Sequence, residues 1–477
     1  MVNRSTRTHA LRIALAIALL AQVVVVSLST PLPAQSVPTP SGLDFVPGAS
    51  FAIPNPQSVT TGDFDNDGDQ DIAIASTGAN KISILWNAGG GSFFPPEEIT
   101  HTGPFFLTNY DINLDGILDL LCANAFGNTI SVFVGTGSGF WPAQHHAVGN
   151  SPYSIAAGNF DADGIPDLAV ANHQSGNVSL LRGDGYGGFD NSWGTFDYQF
   201  PTDIIVSDFD LDGIHDLAMT TSEDSNFSVR YGNGLGAFPI VFNYSIGIDD
   251  SLFSVSAADI TGDGRPDLVF PCPNFDQVAV FRARPTGGFQ QAAPILTGSE
   301  PREALICDFD LDGSPDIGVM NLGSGNVSLS LNDGAGNFSM AQHVDSVSEP
   351  VTQRSVDLDG DGQMDLIVAS HNEGLVSVLL NRTLPGGLFI RGDADQDSVL
   401  TLGDPIRVLD ALFGDAEPLL CPDAGDADDD GTLTIGDPLM ILGYLFLDGP
   451  APNVPNSCGV DPTNNDSLAP CPLDPNC

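Results

Sequence analysis

From residue 58 onward the chain is written in short apolar runs separated by clusters of Asp, Gly, Asn and Pro. Asp167-Leu168-Ala169-Val170-Ala171 and Gly176-Asn177-Val178-Ser179-Leu180-Leu181 are typical, and Gly325-Asn326-Val327-Ser328-Leu329 repeats the second of them. Runs this short, rich in β-branched and aliphatic residues, predict buried strands rather than helices. They recur with a fixed period. The pattern D-x-D-x-D-G-x-x-D begins at Asp63, Asp111, Asn159, Asp208, Asp259, Asp308 and Asp357, at intervals of 48, 48, 49, 51, 49 and 49 residues. Such a period, with four short strands per unit, predicts propeller blades. In each unit the first strand ends at the acidic loop, as Ser58–Gly62 does, and the second follows it. A later glycine-rich turn leads to Phe93, Phe140, Phe189, Phe238, Phe289, Phe338 or Phe389. These residues are predicted to open the fourth strands and to fill the gaps between blades. Pro56, Pro104, Pro152, Pro201, Pro301 and Pro350 stand seven residues before six of the loops, with Leu252 in that place in the fifth unit. Proline lacks an amide donor and marks the start of each first strand. Seven units suffice to close a ring and hide its sheet edges, and Phe45–Pro54 is available to add a strand to the last blade. The expected fold class is all-β, a seven-bladed β-propeller over residues 45–390, followed by a small α-helical domain.

The acidic loops concentrate oxygen donors. In the first, Asp63, Asp65, Asp67 and Asp71 present carboxylates at positions 1, 3, 5 and 9. Position 7 offers its carbonyl, and glycine at position 6 permits the positive φ that wraps the chain around an ion. The same set recurs at Asp208, Asp210, Asp212 and Asp216; at Asp308, Asp310, Asp312 and Asp316; and at Asp357, Asp359, Asp361 and Asp365. Three loops depart from it: Asp111, Asn113, Asp115 and Asp119; Asn159, Asp161, Asp163 and Asp167; and Asp259, Thr261, Asp263 and Asp267. These three are expected to bind more weakly. Six to eight oxygens in flexible geometry suit calcium; magnesium demands stricter geometry, and zinc prefers nitrogen and sulfur.

After residue 390 the motif changes. Asp393, Asp395, Asp397, Thr401 and Asp404 fill positions 1, 3, 5, 9 and 12 of a twelve-residue EF-hand-type loop, and Asp426, Asp428, Asp430, Thr434 and Asp437 repeat them 33 residues later. The carbonyls of Val399 and Thr432 would complete the two sites. Gly431 occupies the turn of the second loop and Ser398 that of the first, so the first is expected to be weaker. Each loop runs into a proline-led apolar helix, Pro405–Phe413 and Pro438–Leu447. Leu409, Leu412 and Phe413 are expected to face Ile441, Leu442 and Leu445. Calcium is thus the expected cofactor of both parts.

The formal charge of −47, from 61 acids against 14 bases, excludes a phosphate-backbone partner such as nucleic acid. With 42% hydrophobic residues the acidity does not signal disorder. Arg4, Arg7 and Arg12 precede the apolar run Ile13–Leu28 and Leu32-Pro33-Ala34, which predicts a signal peptide over 1–34, a linker over 35–44 and a secreted or cell-surface protein with no later membrane span. Of seven cysteines, Cys122, Cys272 and Cys307 lack metal-ligand spacing. Cys421, Cys458, Cys471 and Cys477 fall near or within a Cys/Pro-rich tail (449–477), which fits disulfides in an oxidising compartment.

The seven registered loops resemble the FG-GAP or VCBS-type repeats of integrin α-subunit propellers and of many secreted bacterial proteins. The resemblance covers about residues 45–390. It implies mainly structural calcium in the loops joining the first two strands of each blade, with partners on the opposite face. The duplicated loop–helix unit at 391–448 resembles a type I dockerin, which implies tethering through a cohesin-like partner. Loop positions 10 and 11, often small hydroxylated residues in dockerins, are here Leu402-Gly403 and Ile435-Gly436.

No Ser/His/Asp or Cys/His grouping has catalytic spacing. His173 and His371 are equivalent turn positions, His145-His146 reads as a surface strand, and Glu300 and Glu349 flank equivalent prolines. Of the residues after the proline positions, Phe105, Tyr153, Phe253 and Arg302 are the ligand-binding candidates, against a role in packing around a central channel. Two functions fit these residues: a non-catalytic protein- or glycan-binding adhesion module, or a carbohydrate-active enzyme or lectin on the same scaffold.

Overall fold

A computed structural model of the chain describes residues 43–223, 225–248, 250–383, 403–413, 434 and 436–447. Contacts divide it into two units, of which Leu43–Thr383 is one. That unit holds seven antiparallel sheets. In blade I the strands Pro56–Gly62, Asp71–Ser76, Lys81–Leu85 and Glu97–Thr100 follow one another across the sheet. First strands touch those of both neighbouring blades, and Pro56–Gly62 meets Pro350–Val356, which closes the ring.

Burial explains the sequence pattern. All seven second strands are buried from end to end, so they read as unbroken apolar runs rather than as alternation. Fourth strands are largely exposed, as in Glu97–Thr100 and Ile240–Ser245. The six prolines begin their strands as expected, each followed by a register shift of the kind Pro56/Ser58 makes. A bulge tolerates the missing amide. In blade V, Leu252 is instead fully buried in the core and the first strand shrinks to Ser256–Ala258.

Phe45–Ala52 pairs antiparallel with Leu375–Asn381, so the N-terminal strand is the outer strand of blade VII. Arg382 N–H donates to the Asp44 carbonyl, and Asp44 N–H to Thr383 Oγ1 at 2.8 Å, which fastens the latch. One ring holds the blades together. The residue at loop position 2 (Phe64, Ile112, Phe160, Phe209, Ile260, Phe309 or Leu358) is buried in every loop. The phenylalanine of the next blade packs on it: Phe140 on Phe64 at 5.4 Å, Phe238 on Phe160 at 5.3 Å and Phe289 on Phe209 at 5.8 Å between ring centres. Phe389 lies outside the described residues, and in blade VII Phe45 stands over Phe309 at 6.1 Å. The expectation that these phenylalanines open the fourth strands holds for Phe189 and Phe289 alone. Phe93, Phe140 and Phe338 make isolated bridges to Asn87, Gly135 and Asn332 instead, because the ring is drawn inward to the inter-blade core before the edge strand starts.

In the second unit, helices Gly403–Phe413 and Gly436–Leu447 pack on each other. Val408 and Ile441 are fully buried. Pro405, Val408 and Leu412 share one helical face, so Val408 takes the central place expected for Leu409, which is only partly buried. No helix among the described residues is long and apolar enough to cross a membrane.

Candidate metal loops and the opposite face

Each acidic loop is the turn of a hairpin. The last ladder pair joins the residue before position 1 to position 9, as in Gly62 with Asp71 and Cys307 with Asp316. Position 6 is glycine with φ between 83° and 98° throughout, as the sequence requires. Position 4 also adopts positive φ: Asn66, Leu114, Ala162, Leu211 and Leu311 lie at 58° to 64°. Leucine in this region is strained, and it persists only where the surroundings impose it.

Amides wrap around the position 1 carboxylate. Asp63 accepts from Asp67 N–H (3.1 Å) and Gly68 N–H (3.0 Å), and the same pair recurs at Asp111, Asp208, Asp259 and Asp308. Asp357 accepts from Gly360 and Gly362. Position 5 carboxylates cap the position 7 amide, as Asp67 does for Asp69.

Position 9 has a structural role that the sequence reading did not find. Asp71, Asp119, Asp167, Asp216, Asp267, Asp316 and Asp365 are all fully buried. One oxygen of each accepts from the position 2 amide, at 2.8–3.3 Å. The other accepts from an amide sixteen residues on, from Asn87 for Asp71 through to Asn381 for Asp365. Each carboxylate therefore ties the loop to the end of the third strand. Three of these positions are asparagines whose side chains also reach the preceding blade: Asn87 to the Leu358 carbonyl, Asn332 to Ile260 and Asn381 to Phe309. A fixed spacing of sixteen from the last loop aspartate was the available signal.

The loops differ as cation sites. One oxygen from each of Asp63, Asp65 and Asp71 lies within 4.8 Å of the others, and so do those of Asp208, Asp210 and Asp216, of Asp308, Asp310 and Asp316, and of Asp357, Asp359 and Asp361. The loops with Asn113, Asn159 and Thr261 form no such triad among the described residues. Burial pushes Asp71, Asp167, Asp267, Asp310 and Asp365 up to about 6, and Asp216 and Asp316 up to about 7. Burial and then the Asp67 charge raise Asp65 as well. Asp65 Oδ1 and Asp359 Oδ1 are buried without a hydrogen-bond partner. Orphaned carboxylate oxygens and disfavoured ionisation both fit a hard, oxygen-seeking cation at these loops.

First strands start on the face opposite the loops. Phe105 and Tyr153 stack there at 4.5 Å, Tyr153 and His173 at 4.4 Å, and His173 meets Phe200 at 5.6 Å. Arg302 lies over the Phe253 ring at 4.5 Å, as a separate pair. Exposed Phe126 and Phe275 sit in turns of the same face. His173, a turn position equivalent to His371, extends the aromatic row across blades II to IV. Glu349 is bonded to Asn372. The His145-His146 pair lies in the exposed edge strand Gln144–Ala147, as expected; His145 Nδ1 bonds Ser131 Oγ at 2.8 Å, and the half-buried His146 packs edge-on against Phe189. His101, at the end of blade I, and Cys122 of blade II both meet Asn124, but burial raises the Cys122 thiol far above its ordinary value, so it is no thiolate nucleophile. Cys122, Cys272 and Cys307 form no disulfide.

Of the C-terminal loops, Asp393, Asp395, Asp397, Thr401, Asp426, Asp428 and Asp430 lie outside the described residues, as do the signal peptide and Cys421, Cys458, Cys471 and Cys477. Asp404 falls in the first helix. Thr434 N–H donates to Asp437 Oδ2 at 2.7 Å, which brings positions 9 and 12 of the second loop together at the helix start.

The family model for the FG-GAP-like repeat matches residues 63–109, 111–170, 208–270 and 308–368. No curated protein matches the chain in sequence. Among solved structures, BBS1N, crystallised in complex with ARL6DN and soaked with lead, is similar with a TM-score of 0.52 at 14% identity, over 72% of this chain and 98% of that one. A candidate 6-phosphogluconolactonase from Bacteroides fragilis is similar with a TM-score of 0.50 at 14% identity, over 63% and 86%. At such identity the likeness concerns fold alone. Together with the geometry of its loops, these findings establish that the chain carries FG-GAP-like repeats on a seven-bladed β-propeller.

Proposed function

We propose that this chain is a secreted, calcium-stabilised binding module with no catalytic role, whose propeller takes a protein or glycan ligand on the face opposite the acidic loops. The observation that carries the reading is the division of labour between faces. Carboxylates crowd one face, where an ion would act on stability. The stacked Phe105, Tyr153, His173 and Phe200 lie on the other, half-buried and held by neighbouring blades. Preordered rings lose little freedom on binding, so they suit a recognition surface. Calcium would be held by positions 1, 3, 5 and 9 of the loops whose carboxylates have no basic partner, where it would neutralise clustered charge. The paired C-terminal loops and their helices would take calcium in the same way and tether the propeller through a cohesin-like partner; the Asp437 turn supports that arrangement.

A glycan array combined with affinity electrophoresis on soluble polysaccharides tests the propeller reading, run beside assays for reducing ends and unsaturated products. The expected result is retention without turnover, lost in Tyr153→Ala, or no glycan signal and capture of a protein ligand that Tyr153→Ala abolishes. Turnover of any polysaccharide would replace this reading with a carbohydrate-active enzyme.

A further inference from the structure

Two of the seven loops already contain a cation. In blade III, Arg182 Nε meets Asp161 Oδ2 at 2.8 Å and its Nη2 meets Asp163 Oδ2 at 2.9 Å. In blade VII, Arg382 sends Nη2 to Asp359 and Nη1 to Asp361. Both arginines come from the end of the third strand of their own blade. In both, one guanidinium forks across positions 3 and 5, which are metal-ligand positions. Among the described residues no other loop aspartate pairs with an arginine or lysine. Arg282, at the corresponding site of blade V, turns instead to the Gly336 carbonyl.

We propose that Arg182 and Arg382 are built-in substitutes for the dication, so that loops III and VII close without calcium and exclude it. The proposal rests on the reading of the remaining loops as calcium sites. A guanidinium is planar, always charged, and matched to two carboxylates at once. An ion approaching positions 3 and 5 must displace that fork, and it meets a like charge while doing so. The two loops reach this state differently. Loop III has already lost a carboxylate to Asn159, which leaves three acids for one guanidinium. Loop VII retains all four, and its sequence alone places it with the strongest sites. Loops I, IV and VI keep four carboxylates and no basic partner. Two blades of the ring, one of them the blade that the N-terminal strand latches, thus stay closed when calcium is scarce. The ring keeps its closure while loops I, IV and VI loosen.

Hydrogen exchange of the full chain, read by mass spectrometry with and without chelator, tests this on the unmodified protein. Removing calcium from about 100 Kd should cost loops I, IV and VI about a hundredfold in amide protection. Peptides spanning 159–167 and 357–365 should keep theirs. Equal loss across all seven loops overturns the proposal. Arg182→Met and Arg382→Met give a second readout: each should bind one calcium more per chain than the parent in equilibrium dialysis. Asn159 Oδ1 and Asp359 Oδ1, both buried without partners, are oxygens the incoming ion would use. An unchanged count in variants that fold, beside a parent that binds calcium, overturns the substitution idea alone. A parent that binds none overturns the calcium reading with it.

Discussion

Replacing Asp316 with Asn isolates what a buried loop carboxylate costs when no ion is bound. Asp316 is fully buried and accepts amide hydrogens from Phe309 at 2.9 Å and Asn332 at 2.8 Å. Burial pushes its pKa from 3.8 up to about 7, and the charges of Asp310 and Asp308 add to the rise. A folded-state value above the unfolded one means that the folded chain holds this proton longer. The stability it brings is present below about pH 4 and is lost as the pH rises towards 7. At about 1.4 kcal/mol per unit the shift corresponds to about 4 kcal/mol, which solvent access to the loop reduces to about 2–3 kcal/mol. The assay is urea denaturation of metal-stripped parent and variant between pH 4 and 8. The parent should lose about 2–3 kcal/mol more than Asp316→Asn over that interval, because asparagine does not ionise. Calcium should reverse the parent's trend, since a dication favours the charged carboxylate and protons compete with it. Parallel curves for parent and variant across the whole interval would refute the reasoning.

Three further outcomes follow from the packing. Phe309→Ala empties the position between Phe45 and loop VI and should cost about 3–5 kcal/mol in urea denaturation; a loss under 1 kcal/mol would mean the inter-blade ring is not a stabilising element. Leu211→Gly relieves a positive φ of 64° at an exposed position and should stabilise the metal-stripped protein by about 1 kcal/mol, whereas destabilisation would show that the leucine is not strained. Deleting residues 43–52 uncovers the edge of Leu375–Asn381 and should produce concentration-dependent association in light scattering, absent if the latch is dispensable.

The repeat made most of the fold legible. Period, loop glycines and strand-opening prolines all act locally, so one sequence displays them. Inter-blade features were harder to read. That Phe64 packs under Phe140, or that Asn87 reaches Leu358, depends on ring closure between segments 76 and 271 residues apart. The second function of position 9 was hidden because a metal ligand and an amide acceptor are the same residue type. Loop VII has the sequence of a full-strength site because Arg382 lies seventeen residues beyond Asp365 and reaches Asp359 and Asp361 only once the third strand has folded back. The Tyr153–His173 stack crosses from a first strand to the turn after a second strand, so neither neighbour marks the other in sequence.

Calcium is proposed to hold together the crowded carboxylates on one face of the propeller. Titrating the metal-stripped full chain with calcium by calorimetry, alongside its melting temperature, measures this directly. Several ions should bind per chain and the melting temperature should climb with calcium, each site adding about 2.7 kcal/mol at 100 Kd. Heat of dilution only, with an unmoved melt at millimolar calcium, would contradict it.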